Sequence, residues 1–299
     1  MGIECLTKYI NEHCKSCYYK KPLHFLRNKV IVVDISIYLY KFKQSGNLIE
    51  KLYLMCSKFR QHNIIAIFVF DGKADTNKKE CLQERRNERK KYKEEYDKLQ
   101  EKLKDNYLDE NIMQQLKELE CKLISITKKD IETALTLFDI MGFQCIQSAY
   151  ESDIMLASLM YNYPKIWGCM TEDSDLFAYG CKRIIKYFNP YKATITIYNT
   201  DSILFNMNIQ WKEFHLICLL AKNDYHIKSN YNFYQALHQY KKYKRTQYVT
   251  NVTNVYKVFD LPENPYNKEC NIPNILYYNK EIIPNSLATF LKPHNFIFV

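Results

Sequence analysis

Seven carboxylates stand where apolar segments of this 299-residue chain begin or end: Asp34, Asp71, Glu151, Asp153, Asp173, Asp175 and Asp224. Almost no histidine or cysteine accompanies them, and oxygen ligands without softer partners suit Mg²⁺ or Mn²⁺. Two such ions about 4 Å apart can activate a water molecule and stabilise the leaving oxygen when a phosphodiester is hydrolysed. The residue types therefore predict a hydrolytic site with two Mg²⁺ ions, for which Mn²⁺ can substitute.

Three apolar segments of strand length place three of these aspartates at strand ends. Residues 30–33 are followed by Asp34, residues 64–70 by Asp71, and residues 166–170 by the acidic stretch TEDSD. A helical pattern lies between the first two segments, and this alternation predicts an α/β fold with a mainly parallel sheet flanked by helices. A single aspartate after a strand is usually a turn former or a helix N-cap. Three of them at one edge of a parallel sheet favour a site instead.

The other four carboxylates have ordinary structural explanations as well. Glu151 and Asp153 open an apolar helical stretch, and Ser148 precedes Glu151 at the spacing of a capping box. Acids in a first turn also favour the helix dipole. Capping explains Asp153 less well than Glu151. Asp224 follows another apolar run, where a turn or a helix end is the simple interpretation.

Composition limits the partners and the compartment. The net charge of +10 favours polyanions, nucleic acid first and an anionic membrane surface second. No apolar run approaches the roughly 18 residues of a membrane span, and the first residues lack a secretion signal. Eleven scattered cysteines suggest a reducing compartment. We therefore expect an intracellular protein, nuclear or cytoplasmic (including a viral factory), with no membrane partner and not secreted.

One CxxC pair, Cys14 and Cys17 beside His13, could contribute to a zinc site. Zinc needs about four ligands, and no second pair has matching spacing. An ordinary loop is the favoured interpretation.

Six stretches in order carry a family resemblance: MGIECL, VVDISIYLYKF, FVFDGK, AYESD, TEDSDLFAYG and CLLAKNDY. Together, from residue 1 to about residue 225, they resemble the flap endonuclease and XPG family of structure-specific 5′ nucleases, whose catalytic domain is PIN-like. The resemblance implies two metal sets. Asp34, Asp71, Glu151 and Asp153 match the first set, whereas Asp173, Asp175 and Asp224 match the second.

The resemblance also implies contacts with DNA around the metals. Gly2 matches a small residue near the site, and Tyr40 matches an aromatic on which the nucleotide next to the scissile bond stacks. Residues 74–135 match a helical arch insertion. Lys78 and Arg85 lie seven residues apart, about two helical turns, and match the cations that contact the scissile phosphate.

Further basic residues of the arch are expected to attract a threading single strand, Arg86, Arg89 and Lys90 first among them. The alternative for this segment is a solvated helix with Glu and Lys pairs at a spacing of four. Beyond residue 225 the sequence departs from the family, because residues 226–248 lack the glycines of the expected duplex-binding turn. Duplex contact is instead predicted for Lys241, Lys242 and Lys244, although an exposed charged helix end explains them equally well.

These observations predict a PIN-like nuclease domain at residues 1–225 and a small helical or irregular region at 226–299 that contacts duplex and packs on it. No sliding-clamp motif is evident, and a monomer is expected. The predicted activity is Mg²⁺-dependent cleavage of DNA with a 5′ flap or junction, in replication, repair or recombination. A PIN-like ribonuclease is one alternative, which the full arch disfavours. A non-catalytic DNA-binding relative is another, which the intact carboxylates disfavour.

Overall fold

The computed structural model describes residues 2–73, 78–105, 109–245, 277–294 and 296. Within these residues the chain forms one seven-stranded sheet with helices on both faces. The strands are β1 (Tyr18–Pro22), β2 (Val30–Asp34), β3 (Ile65–Phe70), β4 (Gln144–Gln147), β5 (Ile166–Met170), β6 (Arg183–Asn189) and β7 (Thr194–Asn199). The predicted α/β class is confirmed.

Twelve α-helices connect or cover the strands in the described part of the chain. They are α1 (Leu6–His13), α2 (Ile35–Gln44), α3 (Leu48–Gln61), α4 (Lys79–Asp105), α5 (Glu110–Leu123), α6 (Lys128–Ile140), α7 (Ser152–Asn162), α8 (Asp175–Ala178), α9 (Thr200–Met207), α10 (Trp211–Leu220), α11 (Phe233–Arg245) and α12 (Pro284–Leu291). Short 3₁₀ turns occur at Lys15–Cys17, Leu23–Leu26 and Lys292–His294.

The strand order is β1-β7-β6-β5-β2-β3-β4. Strands β6, β5, β2, β3 and β4 run parallel, and β7 pairs antiparallel with both β6 and β1. The sheet is therefore mainly parallel, as predicted. Strands β5, β2 and β3 are adjacent at its centre, so the acidic segments that follow them emerge side by side.

Strand alternation divides the core between the two faces of the sheet. In β2, Val30 and Val32 enter one apolar cluster, and Ile31 and Val33 enter the other. The first cluster takes up side chains of α1, α7, α8, α10 and α11, and the second those of α2, α3, α6 and α12. This period of two explains why the central strands read as continuous apolar runs: both of their faces are buried.

Helices α4 and α5 occupy most of the predicted arch insertion and pack on each other. The Arg89 guanidinium donates to the carbonyls of Leu123 and Ile124 at the end of α5, and the Tyr96 hydroxyl donates to Glu120 at 2.8 Å. Helix α6, where the predicted insertion ends, buries Leu137 in the second cluster. The predicted insertion thus contains two helices that contact each other rather than one solvated helix, although α4 itself is largely exposed.

The last described segment returns to the sheet. The Lys280 N–H donates to the Gly142 carbonyl at 2.8 Å, and the Ile283 N–H donates to the Ile140 carbonyl at 3.1 Å. Leu291 of α12 is fully buried in the second cluster. Residues 277–294 therefore complete the core of the α/β domain. No helix among the described residues is both long enough and apolar enough to span a membrane.

Candidate metal-binding active site

The ends of three adjacent strands bring the predicted acids together. Asp34 is the last residue of β2, Asp71 directly follows β3, and Asp173 lies three residues beyond β5. Because these strands are parallel neighbours, all three carboxylates stand at the carboxyl edge of the sheet. Asp34 and Asp173 are buried, at 5% and 6% exposed.

Three aspartates at this edge form a compact group. Asp153, Asp173 and Asp175 each offer a carboxylate oxygen, and these oxygens lie within 4.8 Å of one another. Among the described residues, Asp153 Oδ1 and both Asp175 oxygens are buried with no hydrogen-bond partner. Buried carboxylate oxygens without donors are costly, whereas a hard divalent cation would satisfy them. The chemistry of the group therefore fits a metal ion.

Two residues that the sequence analysis did not single out, Ser152 and Thr171, connect the acids. The Ser152 N–H donates to Asp71 Oδ1 at 2.8 Å, and its hydroxyl donates to Asp34 Oδ1 at 3.2 Å. The Thr171 hydroxyl donates to Asp34 Oδ2 at 3.0 Å and accepts from the Asp173 N–H at 3.1 Å. Ser152 and Thr171 thus hold the three strand ends in register. Ser152 lies between Glu151 and Asp153 in the sequence, and Thr171 lies two residues before Asp173. This closeness to the predicted acids is the signal that could have identified both residues.

Helix α7 begins at Ser152 with Glu151 as its N-cap residue, and the Glu151 side chain makes no capping hydrogen bond. The capping-box alternative is therefore wrong, because the Ser148 hydroxyl donates to the Glu151 carbonyl instead. The Glu151 carboxylate points to Lys78, with Nζ and Oε2 2.6 Å apart, and accepts from the Tyr225 hydroxyl at 3.3 Å. Glu151 and Asp153 therefore both face the acidic edge.

Lys78 and Arg85 meet the remaining carboxylate. Lys78 Nζ lies 3.9 Å from Asp224 Oδ2, and Arg85 donates to that same oxygen at 2.7 Å. Burial alone would lower the pKa of Lys78, but neighbouring Tyr225 and carboxylates raise it above its ordinary value, so the ammonium stays charged. Asn223 shapes this loop, since its side chain accepts from the N–H groups of Tyr225 and His226.

Glu172, in the middle of the acidic stretch, faces away from the group. Its carboxylate accepts from Lys41 Nζ at 3.0 Å and from the Tyr187 N–H at 3.1 Å. Nearby, Lys186 is only 2% exposed and donates to the carbonyls of Glu172 and Asp173 at 2.8 and 3.1 Å. Burial lowers the pKa of Lys186, and the charges of the surrounding carboxylates act in the opposite direction. Sequence reasoning missed Lys186, because a lysine in a strand ordinarily reads as solvent-facing.

Gly2 lies against the acidic group. A β-carbon added at this position, whose φ is +84°, would lie 2.0 Å from Asp173 Oδ1 and 2.9 Å from Asp175 Oδ1. The Ile3 N–H, one residue later, donates to the Ser174 hydroxyl at 2.8 Å. The start of the chain is thus part of the wall of the site.

The predicted DNA-contact residues lie on exposed surface. Tyr40 is 40% exposed, and Arg86, Lys90, Lys241 and Lys242 are exposed too. Arg89 is exposed too, but its guanidinium donates to the carbonyls of Leu123 and Ile124 at the end of α5. The side chain of Lys244 lies outside the described residues. Residues 74–77 and 106–108 of the predicted arch lie outside them as well. The same holds for residues 246–276, which make up most of the tail in which no sliding-clamp motif is predicted.

The CxxC pair is not part of the metal-ligand group found among the described residues. Cys14 follows α1 and Cys17 ends the next 3₁₀ turn; both are buried, and His13 is exposed. Among the described residues, the aspartates at 153, 173 and 175 are the group found with metal-ligand proximity. The favoured interpretation of the pair was an ordinary loop, and the structure places Cys14 between α1 and a 3₁₀ turn that ends at Cys17.

Mutual repulsion and burial disturb the protonation of the acids. Burial, and then the charges of Asp71 and Asp173, raise the pKa of Asp34 from 3.8 to about 7. Burial followed by the charge of Asp173 raises the pKa of both Asp153 and Asp175 well above the ordinary value. Ionising these buried carboxylates is unfavourable, so a bound cation would stabilise their charged forms.

We expect metal-free protein to lose stability as pH rises. Asp34 binds a proton more tightly in the folded than in the unfolded chain, so the free energy of unfolding falls as pH rises from 3.8 through about 7. The loss between about pH 5.5 and pH 8 should exceed about 1 kcal/mol, since one pKa unit is worth about 1.4 kcal/mol. Thermal or urea unfolding in EDTA measures it.

Magnesium should reverse this loss at the higher pH and add little at the lower one, because the cation binds the ionised acids. Asp175→Asn is the matched control: it removes one buried charge, so metal-free stability near the higher pH should increase and its pH dependence should flatten. A pH-independent stability of the wild-type protein in EDTA would contradict the electrostatic interpretation.

Fold and site together define an α/β protein that gathers buried acids, in an arrangement that fits a metal ion, at the carboxyl edge of its sheet. Two family models match the chain: the XPG N-terminal domain over residues 1–92 and the XPG I-region over residues 142–224. These ranges cover more than half of the 299 residues. The chain belongs to the XPG and flap endonuclease family.

Proteins similar in sequence include one from a virus and one from a plant. The chain is 27% identical to the "Probable RAD2-like endonuclease 369L" of Invertebrate iridescent virus 6, over 75% of this chain and 67% of that protein. It is 23% identical to "Flap endonuclease 1-B" of Oryza sativa subsp. indica, over 75% of this chain and 57% of that protein. The chain thus spans about two thirds or less of the length of these curated relatives.

Among solved structures, the catalytic core of Rad2 in complex with DNA substrate superposes with a TM-score of 0.65. The two share 18% sequence identity, and the match covers 98% of this chain and 95% of that one. This likeness extends the shared fold beyond the two family-model ranges.

Proposed function

We propose that this protein is a structure-specific 5′ nuclease that hydrolyses DNA phosphodiesters near the junction of single and double strands. The observation that carries the proposal is the meeting of seven carboxylates from distant segments with Lys78 and Arg85 at one sheet edge. The names of its relatives, which are endonucleases, support the same reaction class.

Two Mg²⁺ ions are the cofactor we propose, with Mn²⁺ as a substitute. Asp153, Asp173 and Asp175 would share one ion directly, with Asp34, Asp71, Glu151 and Asp224 completing the set. When bound, such ions supply an activated water molecule and charge stabilisation for the leaving oxygen. The directly grouped aspartates combine one member of the first predicted metal set with two of the second.

The chain's own cations act on the phosphate. Lys78 and Arg85 are held by Glu151 and Asp224 at the rim of the acidic edge, where an incoming scissile phosphate would be. A phosphate can take these donors over from the carboxylates, and fixed cations then stabilise the charge that develops on its oxygens. The cations also lower the repulsion between a polyanion and the acids.

The surrounding surface suits a DNA strand. Tyr40 offers an exposed ring for stacking, and the exposed Arg86 and Lys90 of α4 offer charge to a single strand. Lys241 and Lys242 at the end of α11 are proposed to contact the duplex phosphates. Arg89 has a smaller part in this proposal, because it already braces α5.

Cleavage assays on matched substrates test this function. We expect Mg²⁺-dependent release of a 5′ flap from DNA, little cleavage of the same structure in RNA, and none in EDTA. Preferential cleavage of RNA would instead establish the ribonuclease. Tight DNA binding without cleavage under any divalent metal would establish a non-catalytic relative. We propose further that the enzyme acts as a monomer inside the cell in replication, repair or recombination, without sliding-clamp recruitment.

A further inference from the structure

A row of alternating aromatic rings and cations crosses the protein surface away from the acidic edge. We define it as the cation ladder, and its members in order are Tyr19, Lys21, Phe25, Lys29, Trp167 and Arg183. The rings of Tyr19 and Phe25 lie 6.1 Å apart, and so do those of Phe25 and Trp167. All six side chains are exposed or half-buried.

Each lysine of the ladder sits between two rings. Lys21 Nζ lies 5.4 Å from the Tyr19 ring and 5.7 Å from the Phe25 ring. Lys29 Nζ lies 5.7 Å from the Phe25 ring and 4.8 Å from the Trp167 ring. The Arg183 guanidinium ends the row, 5.2 Å from the Trp167 ring. The rings fix the cations in place without neutralising them.

No carboxylate balances these three charges among the described residues. None of the ion pairs found there involves Lys21, Lys29 or Arg183. The adjoining surface is cationic as well. Burial lowers the pKa of His62, and the neighbouring His24, Lys58 and Arg27 lower it further. An external anion is therefore the partner that this surface lacks.

The ladder is separate from the active site. Trp167 is the second residue of β5 and Arg183 is the first residue of β6. Both strands end at the edge that carries Asp173, so this part of the ladder lies at the opposite, amino-terminal edge. The five residues of β5 separate its two edges by about 13 Å. Lys21, in β1, lies three strands to the side of β5, about 14 Å away.

We propose that the cation ladder binds the phosphate backbone of nucleic acid at a second site, away from the catalytic edge. A row of fixed cations with no acid among them matches a polymer that carries regularly spaced phosphates. Base stacking contributes little here, because cations already cover faces of the rings, so binding is independent of sequence. The inference shares with the proposed function only the class of ligand.

Salt-dependent DNA binding tests the ladder without relying on catalysis. The probe is a fluorescently labelled 5′-flap duplex, measured by anisotropy in EDTA over a range of NaCl concentrations. The ladder variant combines Lys21→Gln, Lys29→Gln and Arg183→Gln. We expect the slope of log Kd against log salt to be shallower by about 2 to 3, because each phosphate contact contributes about 0.9.

A matched variant separates the ladder from net charge. Lys15→Gln, Lys212→Gln and Lys292→Gln remove three exposed charges that take part in none of the ion pairs or cation–π contacts found among the described residues, and the slope should then stay near the wild-type value. Replacing Lys21 and Lys29 with Arg should also preserve it. If the triple ladder variant fails to fold, Lys21→Gln and Arg183→Gln alone should each lower the slope by about 0.9.

Equal slopes of log Kd against log salt for the ladder variant and the wild type would overturn the proposal. A poly-glutamate peptide serves as a second probe, and a variant that lost affinity for this peptide but not for DNA would overturn the proposal as well. The outcome is independent of the nuclease assignment. A wild-type protein that cleaves DNA while the ladder variant binds normally refutes the ladder alone. A wild-type protein that never cleaves, with binding weakened in the ladder variant, refutes only the nuclease.

Discussion

Asp173→Asn should lower the rate of Mg²⁺-dependent flap cleavage by about 10³-fold, the upper range for loss of one preorganised electrostatic group. Asp173 shares the compact acidic group with Asp153 and Asp175, and its charge is the first electrostatic influence on both. The substitution keeps the side-chain shape but removes a negative charge from the proposed metal site. Single-turnover cleavage of a 5′-flap duplex at saturating enzyme measures the chemical step.

Glu172→Gln is the control for Asp173→Asn. It neutralises the adjacent residue, whose carboxylate contacts Lys41 and Tyr187 rather than the acidic group. Cleavage by this variant should remain within about threefold of wild type, because a partly exposed ion pair contributes only about 1 kcal/mol or less. Comparable losses in the two variants would show that general charge near β5, and not the grouped aspartates, supports activity.

Gly2→Ala should lower cleavage by about 10²-fold, because displacement of a reacting geometry by about 1 Å costs that much. The new β-carbon would lie 2.0 Å from Asp173 Oδ1 and 2.5 Å from Ser174 Oγ, so the acidic loop must shift. The fold should survive, because the three nearest atoms that the β-carbon meets belong to side chains of the acidic loop and not to the apolar core. Flap cleavage together with thermal unfolding measures both effects.

Gly46→Ala provides the comparison for Gly2→Ala. Gly46 also has a left-handed backbone, with φ of +85°, but a β-carbon there meets nothing within 4 Å. It therefore reports the backbone strain of an alanine without the collision. Similar activity of both variants would mean that contact between Gly2 and the carboxylates does not matter to catalysis.

The central strands and the acids were predictable because they depend on local patterns. Both faces of β2 and β3 are buried, which leaves apolar runs in the sequence, and a charged residue that ends such a run is conspicuous. The direction of Glu172 was not predictable. Its neighbour Asp173 has the same chemistry, and only the positions of Lys41 and the Tyr187 N–H decide where each carboxylate turns.

Partners distant in sequence account for the other omissions. Lys186 can be buried because two main-chain carbonyls beyond β5 accept hydrogen bonds from its ammonium group. No pattern in the sequence of β6 indicates these two partners. Arg89 was grouped with DNA-binding cations, whereas its acceptors lie 34 and 35 residues away at the end of α5. Charge alone did not indicate which cations have protein partners.

The return of residues 277–294 to the sheet has a consequence for biosynthesis. Helix α12 fills the second apolar cluster with Leu291, and the Lys280 and Ile283 N–H groups bond beside the start of β4. The nascent chain therefore lacks part of its core until residues 277–294 have left the ribosome. A nascent chain from which residues 277–294 have not yet emerged should be sensitive to protease, and protection should appear once they have emerged.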